Sequence, residues 1–291
     1  MYKHWRRDRP QFFNVHALDW ERGPETPSLS GLEARLLSRP VDGVGASYMV
    51  RIPPGWSRTA TADDGAIDVF VLEGDLSIEG SQVGAGGYAF LPRDGGGAEL
   101  GSKAGAQAFL FWNPEPPDGY GSEVQIRKVW QEPWKQMDMP GAIHGAMYKP
   151  LRLPDIGEGA VHGGPGGGVR LYMFTPGFSD PREHVHTVWE EMIYLTGDMF
   201  MPDRGVLAHG SYMGNPADFW HAPMLSARGA VLLFHNTAPI DVELREYPGG
   251  EAVAGRYRDE ASWLETPTQE EWSDLAHYHT APDRVEAWQT P

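Results

Sequence analysis

The chain contains no cysteine among its 291 residues, which excludes disulfides, thiolate metal ligands and a cysteine nucleophile. Basic residues are few, with 24 Lys and Arg against 40 Asp and Glu. The resulting net charge of -16 would repel nucleic-acid phosphates. No apolar run approaches the roughly 18 residues of a membrane span, and no apolar segment follows the basic N-terminus as in a signal peptide. We therefore expect a cytoplasmic protein that binds neither nucleic acid nor membranes.

Glycine and proline are abundant, at 36 and 25 residues, and they interrupt the chain about every ten residues. Such punctuation favours short strands and turns over long helices. Hydrophobic residues make up 41% of the chain, which is ample for a core. The length fits one large domain or two of ordinary size.

An internal repeat of about 123 residues divides the chain. The segment DVFVLEGDLSIEG from Asp68 matches EMIYLTGDMFMPD from Glu191, with Gly74 and Gly197 lying 123 residues apart. Short strands in each repeat predict a sandwich or small barrel, and the repeat predicts two of them. Three further pairs keep the same order and spacing to within one residue, at Gly55 and Gly177, Pro92 and Pro216, and Asn113 and Asn236.

We predict a first domain over residues 1–120, a second over 121–250 and a tail over 251–291. Pro267 and Thr268 would begin a helix in that tail. The N-terminal arm and the tail are available for exchange between subunits, and a homodimer is expected on that basis.

The second repeat carries a set of metal-ligating residue types. His184 and His186 are two apart, so in a strand their imidazoles point to one face. Glu190 follows beyond a short loop, and His221 adds a third imidazole further on. Three neutral imidazoles and one carboxylate suit Fe(II), Mn, Ni, Cu or Zn and leave positions open for substrate or water.

These residues carry a resemblance to the cupin superfamily. HVHTVWEEMIYLTG resembles the first cupin motif, with His184, His186, Glu190 and Gly197 in place. GSYMGNPADFWH resembles the second motif and ends on His221. Glu191 is a rival to Glu190, but the six-residue spacing to Gly197 favours Glu190. Three positions depart from the usual pattern: Gly177 lies one residue too far upstream, Asp218 replaces a glycine and Met224 replaces an asparagine.

The resemblance implies an all-β chain of two tandem cupin barrels (double-stranded β-helix, or jelly roll), with short peripheral helices. It implies one divalent metal ion, with Fe(II) favoured, on His184, His186, Glu190 and His221. The leading function is a dioxygenase acting on a small, aromatic or diketone-like substrate. A non-redox isomerase, cyclase or lyase and a non-catalytic small-molecule-binding bicupin remain open.

Other side chains are candidates for the chemistry around the metal. Met192 and Tyr194 would share the strand face of Glu190 and line a pocket. Besides Glu190, Tyr194 and His209 are the catalytic candidates, with an ordinary hydrogen-bonded histidine as the alternative for His209. His162 is a candidate for a lid, while a second HxH pair, His277 and His279, is interpreted as surface.

The first repeat lacks the ligands. The positions equivalent to the four ligands are Thr61, Asp63, Ile67 and Gly97, none of which is a histidine. We therefore expect a degenerate first barrel. A separate site at Asp63, Asp64 and Asp68 stays open, although three acids beside a glycine are more typical of a solvated turn.

Overall fold

A computed structural model describes residues 9–24, 26, 28–40, 45–93, 97–116, 119–137, 145–152, 167–221 and 223–249. The predicted tail helix, His162, His277 and His279 lie outside these residues. No helix in the described part of the chain has the length and hydrophobicity that a membrane crossing requires.

The described chain is built of short strands joined by turns, as its glycine and proline content predicted. The all-β prediction is confirmed, because helical segments there amount to three single 3-10 turns, at Val15–Ala17, Ala62–Asp64 and Val129–Gln131. The strands up to residue 132 are β1 (Gln11–Asn14), β2 (Glu21–Arg22), β3 (Glu33–Ser38), β4 (Ala46–Ile52), β5 (Trp56–Thr59), β6 (Ala66–Ile78), β7 (Ser81–Gly84), β8 (Tyr88–Leu91), β9 (Glu99–Ser102), β10 (Ala106–Asn113) and β11 (Gln125–Arg127). The later strands are β12 (Lys135–Gln136), β13 (Ala146–Pro150), β14 (Gly168–Phe174), β15 (Ser179–Asp180), β16 (Arg182–Val185), β17 (Glu190–Gly197), β18 (Met199–Met201), β19 (Gly205–Leu207), β20 (Ser211–Asn215), β21 (Met224–Leu225), β22 (Ala230–Asn236) and β23 (Glu243–Glu246).

The first compact unit comprises Leu18–Glu132 among the described residues. Its main sheet runs β11-β8-β6-β10-β4-β3-β2, and β5, β7 and β9 form a further antiparallel group with the end of β6. Alternate residues of β6, including Ile67, Val69 and Val71, enter one apolar core. The unit extends past the predicted boundary at 120 because β11 pairs with β8.

The second unit comprises residues 9–17 and the described residues from 133 onward. Its main sheet runs β1-β20-β17-β22-β14-β13-β12, with β18, β19, β15 and β21 in a smaller sheet and β16 paired with β23. Residues 11–14 belong here because β1 pairs with β20. The repeat does not cover this N-terminal arm, so the sequence offered no means of placing it.

Each of the two units has a tight turn at the repeated glycine. Gly197 has φ +83°, and a Cβ atom there would lie 1.9 Å from the Gly229 carbonyl oxygen. Gly74 has φ +76°, and its Cβ would lie 2.0 Å from the Gly105 carbonyl oxygen. The left-handed backbone and the missing space both require glycine, which explains why this residue recurs in the repeat.

Candidate metal centre

Two segments bring the predicted ligands of the second unit together. His184 lies in β16, His186 follows that strand, and Glu190 begins β17. His221 is held against β16 by an antiparallel bridge, in which His184 and His221 exchange backbone N–H to O hydrogen bonds of 3.3 and 3.0 Å. Backbone pairing alone therefore brings the segments that carry His184 and His221 together.

Three of the four predicted ligands form a compact group. Ligand atoms of His186, Glu190 and His221 all lie within 4.8 Å of one another. His186 Nε2 is 3.3 Å from Glu190 Oε2, and His221 Nε2 is 3.2 Å from Glu190 Oε1. Glu190 and His221 are each 2% exposed and so are shielded from water, while His186 is partly buried. Among the described residues, no other three side chains of these types come as close.

The protonation of the two imidazoles indicates that this group suits a cation. Carbonyl oxygens only accept hydrogen bonds, so His221 Nδ1 donates to Phe219 (3.2 Å) and His186 Nδ1 donates to Asp241. Burial, followed by the nearby His186, lowers the pKa of His221 to about 3, so that ring is neutral at pH 7. The Nε2 atom of neutral His221 therefore turns a lone pair toward the Glu190 carboxylate. A divalent cation would remove the repulsion, and the donor set fits one.

The carboxylate of Glu190 is held by a chain of hydrogen bonds. Asn215 Nδ2 donates to Glu190 Oε1 at 2.6 Å, and Arg204 Nη2 donates to Asn215 Oδ1 at 2.7 Å. Glu190 and Asn215 are also directly opposite in the β17–β20 pair. Asp241 supports His186, because its backbone carbonyl oxygen accepts from His186 Nδ1. The carboxylate of Asp241 in turn accepts from the backbone N–H and the hydroxyl of Thr187. Such supporting contacts orient ligands before a metal binds.

His184 packs against the group without joining it. Its ring centroid lies 4.1 Å from that of His221 and 6.0 Å from that of His186. The side chain is buried, and its Nδ1 has no hydrogen-bond partner in the part of the chain that the structure describes. Burial lowers the pKa of His184 well below its usual value, so this ring too is neutral. Its role as a ligand stays a prediction.

Glu191 faces the opposite side of β17. Tyr212 donates a 2.6 Å hydrogen bond to Glu191 Oε2, and His235 Nδ1 lies 2.6 Å from Glu191 Oε1. Strand alternation places neighbours on opposite faces, so only one of the two glutamates can face His186 and His221. That residue is Glu190 in the structure, as the motif spacing favoured.

Met192 and Tyr194 share the apolar cluster on the Glu190 face, together with Phe234. The Tyr194 hydroxyl lies 3.7 Å from Met192 Sδ. Burial, followed by the charge of Glu190, raises the pKa of Tyr194, so its phenol keeps the proton. Tyr194 is therefore a hydrogen-bond donor at neutral pH rather than a base.

His209 lies at the edge where β1 meets β20, and not in the group of ligands. Its Nδ1 donates to the Leu195 carbonyl oxygen at 2.9 Å, and its Nε2 lies 3.2 Å from His16 Nε2. His16 must therefore donate to His209, which is neutral because burial lowers its pKa to about 4. Both ring nitrogens are engaged, which fits the alternative of an ordinary hydrogen-bonded histidine.

The first unit has apolar residues where the second has the carboxylate of Glu190, a candidate ligand. Ile67 pairs with Leu91 across β6 and β8, in the place where Glu190 pairs with Asn215. Both Ile67 and Leu91 belong to the buried core. This substitution accounts for the lack of a comparable ligand group among the described residues of the unit.

The sequence suggested that Asp63, Asp64 and Asp68 lie in a solvated turn. That interpretation was wrong for two of these three residues. Asp64 is 1% exposed and caps a turn by accepting from the backbone N–H groups of Ser28 (2.8 Å) and Thr61 (2.7 Å). Asp68 is fully buried and accepts from the hydroxyl of Tyr88. Only Asp63 is exposed. Asp68 and Tyr88 repeat the pairing of Glu191 with Tyr212, so this buried contact is part of both repeats.

The departure at Asp218 has a structural explanation. Its φ is +62°, the left-handed region where glycine is favoured and where aspartate is tolerated better than most residues. The Asp218 N–H donates to the His186 carbonyl oxygen at 2.8 Å. The second motif therefore keeps its backbone turn although the glycine has changed.

Sequence reasoning missed the supporting residues. Asn215 precedes the motif proline, and its position opposite Glu190 depends on strand register, which the motif does not state. Arg204 lies between two short strands, where an arginine is ordinarily exposed, yet its side chain is 6% exposed. No sequence signal distinguished it.

Comparison with known proteins supports the fold. No family model matches the chain, and no curated protein matches it by sequence. Solved structures do match: a "putative dioxygenase" from Nostoc punctiforme has a TM-score of 0.67 at 19% identity, over 85% of this chain and 88% of that one. The chain has the cupin fold. A "putative glyoxylate induced protein" from Pseudomonas aeruginosa matches at 0.60 and 16% identity, over 84% and 93% of the two chains. A bacterial pirin from Escherichia coli, in complex with nickel(II), matches at 0.50 and 12% identity, over 79% and 100%. At these identities the likeness establishes the fold alone.

Proposed function

We propose that the chain is a bicupin dioxygenase whose second unit binds one divalent metal ion, with Fe(II) favoured. His186, Glu190 and His221 would hold the ion, and His184 would be the fourth ligand. The observation that carries this proposal is the meeting of two imidazole Nε2 atoms, those of His221 and His186, with one buried carboxylate at 3.2 and 3.3 Å. The first unit, with Ile67 and Leu91 in place of Glu190 and Asn215, would have no metal role.

The chemistry that a redox-active divalent ion supplies in such a site is Lewis acidity toward a substrate oxygen and electron exchange with O2. The protein's own residues perform the rest. Asn215 fixes Glu190 in one orientation, which prepares the site before substrate arrives. Tyr194 retains its proton and can donate a hydrogen bond to a substrate oxygen. The carboxylate of Glu190 can accept a proton from the substrate. Since both nitrogens of His209 are engaged elsewhere, we assign it no catalytic role.

The apolar surroundings favour a small organic substrate with an aromatic or diketone-like part. Met192, Tyr194 and Phe234 belong to one buried cluster on the Glu190 face, and such a wall excludes water from a reacting group. The similarity in fold to the Nostoc protein, which is described as a "putative dioxygenase", supports the proposed reaction type. A net charge of -16 would repel nucleic-acid phosphates, so we do not expect nucleic acid as a partner.

Oxygen uptake tests this function. The purified chain would be loaded with Fe(II) under argon and mixed with catechol or acetylacetone in an oxygen electrode. We expect uptake that requires both iron and substrate, is lost in Glu190→Gln and persists in Glu191→Gln, the matched change on the other strand face. Protein that carries zinc or manganese and consumes no O2 with any such substrate would overturn the dioxygenase assignment and favour an isomerase, cyclase or lyase.

A further inference from the structure

Arg204 is a buried cation next to the proposed metal centre, and one of its donors is unused. Its side chain is 6% exposed, and Nη1 is buried with no hydrogen-bond partner among the described residues. The other nitrogens are engaged: Nη2 donates to Asn215 at 2.7 Å and Nε lies 3.4 Å from an Asp203 carboxylate oxygen. A buried guanidinium N–H without an acceptor is costly, so one that a native structure keeps requires an explanation, such as an acceptor supplied by a bound ligand.

The guanidinium lies close to the proposed ligands. One side chain, Asn215, bridges it to Glu190 through two hydrogen bonds of 2.7 and 2.6 Å. The central carbon of the Arg204 guanidinium lies 5.7 Å from the centre of the Phe219 ring. The backbone carbonyl of Phe219 accepts the hydrogen bond that orients His221.

The charges of the site favour an anionic ligand. Glu190 is the one carboxylate among the four proposed ligands, so it would be the only anionic ligand of a divalent ion. Arg204 adds a positive charge that the half-exposed Asp203 offsets only in part, because water screens that carboxylate. The metal-loaded site would therefore be cationic inside a chain of net charge -16. An organic anion entering it would gain attraction that a neutral molecule would not.

We propose that Arg204 is a substrate-binding residue that recognises a carboxylate group, so that the substrate of this site is a small organic acid. This inference rests on the proposed metal centre and narrows its substrate class. Nη1 would donate to a carboxylate oxygen, and the fixed guanidinium plane would orient that group beside the metal. Arg204 would then have two tasks, holding Asn215 with one nitrogen and the substrate with another.

Binding of simple carboxylates to cobalt(II)-loaded protein tests the inference without any turnover. Benzoate and acetate would be titrated while the visible absorption of cobalt and the heat of binding are followed. Arg204→Met should weaken benzoate binding by about tenfold or more, the range expected for a lost charge-assisted hydrogen bond. Arg204→Lys should weaken it less, and Arg245→Met should leave it unchanged. Arg245 is the matched control because it lies over the nearby Trp220 ring and pairs with Glu183 on the surface.

The outcomes separate this inference from the proposed function. If Arg204→Met binds cobalt and benzoate as well as the wild type does, the substrate assignment is overturned while the metal centre stands. Failure of the wild type to bind cobalt would overturn both. If Arg204→Met does not fold, wild-type protein still decides the matter, because benzamide should bind far more weakly than benzoate, and equal binding would contradict a role for the cation.

Discussion

Asn215 holds Glu190 through a 2.6 Å hydrogen bond from its amide to Oε1, the oxygen that also lies 3.2 Å from His221 Nε2. The amide therefore decides which way the carboxylate turns and leaves the remaining lone pairs for a cation. Removal of this contact should damage the site without removing a ligand.

Asn215→Ala is expected to reduce metal affinity about 10- to 100-fold, the usual range for a residue that orients a ligand. Competition for zinc with a coloured chelator measures this directly. Asn113→Ala is the matched control, because Asn113 is a buried asparagine of the first unit and its side chain accepts from the Glu115 N–H. Equal affinity in wild type and Asn215→Ala would show that Glu190 does not depend on the amide.

Glu190→Gln and Glu191→Gln should have opposite effects, since the two carboxylates lie on opposite faces of β17. The first should abolish metal binding with little loss of stability. The second should keep the metal and lower the free energy of unfolding by about 1–3 kcal/mol, because Tyr212 and His235 lose a buried acceptor. Metal content and urea unfolding of both proteins are the measurements, and metal loss only in Glu191→Gln would reverse the ligand assignment.

Asp218→Gly should be neutral or stabilising, because φ of +62° suits glycine better than aspartate. Asp218→Val should destabilise the chain by about 1–2 kcal/mol, the cost of a left-handed conformation for a residue with a full side chain. Thermal unfolding without metal separates the two variants. A destabilising glycine would mean that the aspartate side chain, rather than its backbone, supports the turn.

His209 predicts a pH dependence. Burial lowers the pKa of His209 to about 4 in the folded chain, whereas an unfolded histidine titrates near 6.5. As pH falls below about 6.5, the unfolded chain gains a proton that the folded chain does not, so stability is lost until about pH 4. His209→Gln should abolish this loss, which is at most about 2 kcal/mol near pH 5 because the ring is partly exposed. Urea unfolding at neutral pH and near pH 5, with metal removed, tests it, and identical pH dependence in both proteins would contradict the lowered pKa.

The sequence predicted the elements that local chemistry dictates. Glycines and prolines marked short strands, and the repeated glycines Gly74 and Gly197 lie at turns that no other residue fits. The histidine and glutamate spacing located the site because strand alternation decides which side chains share a face. Glu190 and Glu191 illustrate the point: one residue of register separates a candidate metal ligand from a buried structural acid.

Contacts distant in sequence were beyond prediction. Asn215 reaches Glu190 through strand pairing, and the N-terminal arm joins β20 through backbone hydrogen bonds that carry no side-chain signature. Asp64 is one of three acids beside a glycine, a pattern typical of a solvated turn, yet Ser28, 36 residues away, donates to it in the interior. Such partners are determined by the fold rather than by local pattern.

Elemental analysis of protein purified without added metal tests the central claim most directly. His186→Ala and His221→Ala would be measured beside the wild type, with His209→Ala as the matched histidine outside the ligand group. We expect one divalent ion per chain in wild type and in His209→Ala, and none in the other two variants. Metal retained at full stoichiometry in both His186→Ala and His221→Ala would contradict the site.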